Sequence, residues 1–272
     1  MTKRNVVFES VTGLQWARAC AADRRFSYSL YVPSSWSEET ASSHNFLVAM
    51  HGTGRAAEST RDLYIDLAED KRLIILAPLF PTHVTDQNET HNYTWIRFGD
   101  IRYDHVLFSM LEEASQRYGV SAEKFSLTGF SAGGGFAHRM LYLHADRLLA
   151  VSIGASGFMT QLDSGKKWFV GIQDVEELFG KPVEFECMKK VPVQVVVGGD
   201  DTHPEINISP GSALYMEGVN YGGSTRVERA RSLHKQLIEN GVNSQFDIVP
   251  GAVHASKEVA LAVDSFFRKT LP

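Results

Sequence analysis

The sequence predicts an α/β fold, a mostly parallel central sheet flanked by helices on both faces. Two observations carry this prediction. Short β-rich runs alternate with longer stretches of helical period along the 272 residues, which is the pattern of strand–helix–strand units. Several of the β-rich runs are apolar at nearly every position, as strands covered on both faces are. No repeat or low-complexity linker interrupts the alternation, so a single domain over 1–272 is expected.

In chain order, strands are expected at 26–32, 46–51 and 73–77. Val106, Leu107, Met110, Leu111, Ala114 and Tyr118 then recur at three-to-four spacing. They define an amphipathic helix that Gly119 is placed to stop in a left-handed conformation. A strand at 125–130 runs into a helix-compatible stretch that includes Phe136, Ala137, Met140 and Leu141. Strands follow at 149–154, 193–198 and 245–249. Val227, Ala230, Leu233, Leu237 and Ile238 form a second helical stripe before Gly241, and Val259, Val263, Phe266 and Phe267 form a closing one. Two stretches, 156–190 and 202–224, fit neither period and lie just after expected strands. Loops of that length carry function or form a small cap.

Composition narrows the partners. A net charge of -5, with 43% apolar and 22% charged residues, is ordinary for a soluble globular protein and argues against nucleic acid. No segment approaches a membrane-spanning length. The positively charged start is cut off by Glu9 after three apolar residues, far short of a signal-peptide core. Cys20 and Cys187 have no metal-type spacing and are read as free thiols, which implies a reducing, cytoplasmic setting. The sequons at Asn88 and Asn92 carry no meaning there. The expected partner is a small-molecule substrate, and homodimer formation is left open.

The chemistry concentrates in Gly129-Phe130-Ser131-Ala132-Gly133, where the strand at 125–130 turns into a helix. A serine on such a corner is held in a strained backbone conformation, so residues two before and two after it must be small. The same corner sets Ser131 at a helix N-terminus, where unpaired N–H groups favour a negative oxygen. A serine is a poor nucleophile unless a histidine takes its proton and an acid orients that histidine. Gly198-Gly199-Asp200-Asp201 ends the strand at 193–198 and supplies the acid at the edge where ligands bind in open sheets. Asp201 is preferred because the chain can leave the strand and swing back before it, and Asp200 is the reserve. His254, in Val249-Pro250-Gly251-Ala252-Val253-His254, follows the last strand. Met50-His51-Gly52-Thr53-Gly54 closes an earlier strand, and its glycines let amides point into a cleft. The N–H groups of Thr53 and Ala132 are assigned to hold the oxyanion of a tetrahedral intermediate. His51 is read as an orienting group of that loop.

Taken together, HGTG at 51–54, GFSAGG at 129–134, GGDD at 198–201 and VPGAVH at 249–254 resemble the α/β-hydrolase superfamily. The resemblance extends over nearly the whole chain from about Phe26. The stretch GFSAGGGFAHRM is similar to esterases of the polyhydroxyalkanoate-depolymerase and feruloyl-esterase-like group. It implies the α/β-hydrolase fold with short cap-like insertions and the order Ser131, Asp201, His254. Many members of that group are secreted and disulfide-bonded. This chain is expected instead to act on a soluble intracellular ester.

The expected activity is serine-dependent hydrolysis of a carboxylic ester with no cofactor. A lactone, amide, thioester or β-diketone carbon–carbon bond suits the same three residues, and a non-catalytic receptor uses the same fold. Trp95, Phe130 and Phe158 are candidates for the substrate pocket, with Trp168, Phe169, Tyr215 and Met216 as further cap aromatics and apolar groups. His83 and His91 lack metal-ligand company and are read as solvated loop histidines.

Overall fold

The computed structural model describes residues 11–85, 90–212 and 214–272. The apolar stretch before Glu9 and the sequon at Asn88 lie outside the described residues. Strands β1 (Gly13–Leu14), β2 (Arg18–Ala19), β3 (Ser27–Val32), β4 (Asn45–Met50) and β5 (Leu73–Leu79) precede a hairpin of β6 (Arg97–Phe98) and β7 (Ile101–Arg102). Then come β8 (Phe125–Phe130), β9 (Leu148–Gly154), β10 (Val193–Gly198) and β11 (Ser244–Val249). The helices are α1 (Ala57–Asp62), α2 (Ile65–Lys71), α3 (Tyr103–Tyr118), α4 (Ala132–His144), α5 (Val175–Phe179), α6 (Phe185–Met188), α7 (Arg226–Glu239) and α8 (Ser256–Thr270).

The main sheet runs β1-β3-β5-β4-β8-β9-β10-β11, with β2 also on β3. From β5 to β11 every pair is parallel, while β3 is antiparallel to β5 and takes β1 and β2, also antiparallel, on its outer edge. Side chains alternate across a strand, and here both sets are apolar. Phe46, Val48 and Met50 of β4 pack with residues of α3, α4 and α7 on one face. Leu47 and Ala49, between them, pack with residues of α2 and α8 on the other. The near-continuous apolar runs therefore have a cover on each side, as their composition implied.

All seven expected strands form, as do the three expected helices and the one that follows Ser131. Gly119 caps α3 at φ +65°. Helix α7 starts on a capping box, in which Thr225 accepts from the Glu228 N–H and the Glu228 carboxylate accepts from the Thr225 N–H. Helix α8 has no side-chain N-cap. Burial of Val263, Phe266 and Phe267, at about 1.5–3 kcal/mol each, outweighs a cap worth about 1 kcal/mol.

Helices α1 and α2 have no counterpart in the sequence reading because each spans fewer than two turns, and α1 carries a single apolar residue. Two-residue strands such as β1 and β2 are too short to show a period. The stretch 156–190 holds α5 and α6, and 202–224 holds one turn of 3-10 helix at Pro204–Ile206. The two stretches share a small apolar cluster of Phe169, Val170, Ile208 and Val219, against which Trp95, Phe158 and Met216 pack.

Candidate active site

At the corner between β8 and α4, Ser131 has φ 59° and ψ -119°, a conformation that costs a non-glycine residue about 1–3 kcal/mol. Backbone bonds hold it there. The Ser131 N–H donates to Gly154 O at 2.9 Å, and Gly135 N–H donates to Ser131 O at 3.1 Å. The surrounding glycines are required by contact. A Cβ on Gly129 would sit 2.3 Å from Gly133 O, one on Gly133 would sit 2.5 Å from Met50 O, and one on Gly134 would sit 2.2 Å from Gly154 O. Neighbouring strands thus approach the corner closely enough to present the Ser131 side chain above the sheet.

Strands β10 and β11 run in register, Gly198 opposite Val249, so the loops after them emerge side by side. Gly199 N–H donates to Val249 O at 2.8 Å and Asp200 N–H donates to Ala252 O at 2.9 Å. A Cβ on Gly198 would lie 2.4 Å from Ala252 O, which explains the glycine at that strand end. The result aligns three side chains from three distant parts of the chain. Ser131 Oγ–H donates to His254 Nε2 at 3.0 Å, and His254 Nδ1–H donates to Asp201 Oδ2 at 2.6 Å. Asp201, which meets His254, is buried, and Asp200 is exposed. Asp201 Oδ1 also accepts from Arg226 Nη1 at 3.2 Å.

Beside Ser131, the loop after β4 is fixed from behind by His51. This histidine is fully buried; Nδ1–H donates to Gly52 O at 2.8 Å and Nε2 accepts from Phe80 N–H at 3.1 Å. Burial depresses its pKa to about 4, so the ring is neutral. It is the orienting group that its loop position implied. His138 does the same under α4, with Nδ1 on Gly134 O at 3.0 Å and Nε2 accepting from Thr160 N–H at 3.1 Å. The first-turn amides of α4, Ala132 among them, have no acceptor one turn back. Ala132 and Thr53 both line the cleft at Ser131.

The cleft has a volume of about 170 Å³. Ser156, Gly157 and Phe158 from one stretch and Glu205 and Ile206 from the other form part of its wall, together with His91 and Thr94. Of the expected pocket residues, Phe158 lines this cleft. Trp95 does not; it stacks on Phe169 with ring centroids 5.0 Å apart, inside the cluster the two insertions share. Phe130 is turned toward His254, ring centroids 4.8 Å apart. His83 is exposed as expected. His91 departs from the solvated reading: it is half-buried, packs edge-on to Phe158 and has its pKa lowered by burial. Among the described residues, no group of three or more His, Cys, Asp and Glu side chains is placed to hold a metal ion.

Arg139 and Arg226 also line the cleft and had no role in the sequence reading. Arg139 is internal to a helix in an otherwise apolar stretch, where charge alone does not tell inward from outward. Arg226 was open to detection, since Thr225-Arg226-Val227-Glu228 is a capping-box pattern that places it in the first turn of a helix.

No family model matches the sequence, and no curated protein does. Solved structures do resemble it. A poly(3-hydroxybutyrate) depolymerase from Bordetella parapertussis superposes with a TM-score of 0.74 at 21% identity, covering 96% of this chain and 92% of the other. A poly(aspartic acid) hydrolase-1 from Sphingomonas sp. KT-1 gives 0.71 at 19% identity, covering 93% and 98%. An S-formylglutathione hydrolase from Agrobacterium tumefaciens gives 0.59 at 12% identity, covering 97% and 98%. Together with the sheet order and the corner at Ser131, these likenesses give the chain an α/β-hydrolase fold.

Proposed function

We propose that this protein is a serine hydrolase acting on carboxylic esters of small to medium organic molecules. The observation that carries the reading is the unbroken hydrogen-bond chain from Ser131 through His254 to Asp201, beside a cleft that a substrate can enter. In this reading His254 takes the Ser131 proton as Oγ attacks the ester carbonyl, and the amides of Thr53 and Ala132 receive the oxyanion. Asp201 keeps the proton on Nδ1, which leaves Nε2 free as the base, and its charge favours the imidazolium that follows. His254 then gives its proton to the leaving alcohol. Water, activated by the same histidine, releases the acid from the acyl-enzyme.

The fold neighbours support hydrolysis as the reaction type, since those named above are a depolymerase and two hydrolases. We place the protein in a reducing compartment on the strength of its two free cysteines. The test is intact-protein mass after incubation with a neutral fluorophosphonate, together with p-nitrophenol release from acetate, butyrate and octanoate esters. A single adduct on Ser131 with turnover that depends on chain length is expected. No adduct would overturn the reading.

A further inference from the structure

We propose that the cleft beside Ser131 contains a carboxylate-binding subsite formed by Arg139 and Arg226, so that the ester it takes carries a free carboxylate. The inference rests on the ester-hydrolase reading for the word ester, but its physical basis is separate.

Arg139 is fully buried and its bonded nitrogens meet only neutral oxygens. Its Nε donates to Thr160 Oγ1 at 2.8 Å and its Nη1 to Thr94 O at 2.7 Å. The remaining nitrogen, Nη2, is buried with no hydrogen-bond partner. No carboxylate among the described residues pairs with it, although Trp168 and Phe169 offer ring faces at 5.9 and 5.6 Å. A buried guanidinium without a counter-ion is costly, and proteins ordinarily offset it with an acid. Arg226 repeats the pattern. Its Nη1 is committed to Asp201, while its Nε is buried and unpartnered.

Both arginines line the same cleft as Ser131, together with Thr94 and Ser156. Gly135 lines the same cleft. A Cβ there would lie 3.6 Å from Arg139 Nη1 and from Ser156 Oγ, at ordinary contact distance. Two carboxylates face this region. Asp201 is already shared between His254 and Arg226, and Glu205 stands on the rim with its side chain 80% exposed, near His203. A rim charge in water is screened and leaves the buried end of the cleft positive. His91, the remaining titratable group of the wall, is kept neutral by its surroundings. Two guanidinium groups thus line one cleft where Arg139 has no acid partner and Asp201 is already committed, so a carboxylate on the substrate would supply the counter-charge.

The test compares matched ester pairs. For a carboxylate on the acyl side, 4-nitrophenyl hydrogen glutarate is set against 4-nitrophenyl valerate; for one on the alcohol side, O-butyrylglycolate is set against propyl butyrate. We expect kcat/KM to favour the anionic member of one pair by about thirtyfold, the scale of charge-assisted hydrogen bonds at a buried site, and the favoured pair tells which side carries the charge. Arg226→Gln disturbs Asp201 and slows both members of a pair, so the preference ratio is the readout; it should fall toward one. Arg139→Met should do the same, and the Arg226 variant keeps the test available if Arg139→Met does not fold. Turnover with no preference in either pair overturns the subsite and leaves the hydrolase reading intact. Binding is measured separately by calorimetry on Ser131→Ala, with monomethyl glutarate against methyl valerate and O-butyrylglycolate against propyl butyrate. Tighter binding of the anions without any wild-type turnover would support the subsite and overturn hydrolysis. Equal binding would overturn the subsite.

Discussion

The edge of the sheet that carries Ser131, Asp201 and His254 and the wall formed by 156–190 and 202–224 meet in one cleft, yet they are built differently. At the edge, side chains are placed by backbone: strand register, a strained corner and glycines that allow strands to touch. In the wall, Phe158 is placed by packing between segments far apart in the chain, and Arg139 of α4 and Arg226 of α7 join it at the cleft. The first kind of placement leaves local marks in a sequence. The second leaves almost none.

The sharpest way to probe the contrast is at the edge itself. Ser131→Ala should lower kcat/KM for a p-nitrophenyl ester by about 10⁵-fold while leaving the melting temperature within a few degrees, because only an Oγ is removed; retention of wild-type rates would sink the assignment. Next in size, Asp201→Asn should reduce kcat by about 10⁴-fold through loss of the favoured tautomer. Asp200→Asn, one position away and exposed, should stay within about twofold, and the reverse ranking would transfer the acid role.

Glycines at and beyond the corner separate backbone placement from open space. Gly134→Ala meets Gly154 O at 2.2 Å and should lose about 1–3 kcal/mol in denaturant unfolding. Gly135→Ala, one residue on, meets nothing closer than 3.6 Å and should gain about 0.5–1 kcal/mol as a better helix former. It should at the same time slow substrates that reach Arg139. Equal destabilisation by the two changes would refute the contact argument.

The buried histidines add an effect that depends on pH. His51 has an ordinary value of 6.5 brought down to about 4 in the folded chain. Between those values the unfolded chain binds the extra proton, so stability is present above about pH 6.5 and is lost as pH falls through the window. The loss should be at most about 1.4 kcal/mol per pH unit, and thermal unfolding followed from pH 7 to pH 4 should show a shallower slope in His51→Asn. An unchanged slope would mean that another group dominates.

Much of this was legible in the sequence. The central strands were readable because both faces of the sheet are covered there, which leaves runs such as Leu73–Leu79 apolar throughout. Ser131, Asp201 and His254 were readable because each stands just past a strand end, where chain order alone limits the choice. Trp95 and Phe130 were not, since proximity in sequence to the site does not say which way an aromatic side chain turns at a strand end or in a loop. Arg139 was hidden for a related reason: the partners that keep it inside, Thr94 and Thr160, come from segments with no sequence link to its helix.

The apolar cluster shared by the two insertions has a practical consequence for how such a protein changes its diet. Phe169 and Val170 come from one segment and Ile208 and Val219 from the other, so neither can be exchanged without stranding its counterpart. They constitute one cassette encoded in two places. A transplant that swaps 156–190 and 202–224 as a pair carries both halves of that cluster to a recipient of the same architecture, whereas a transplant of either alone delivers a mismatched seam.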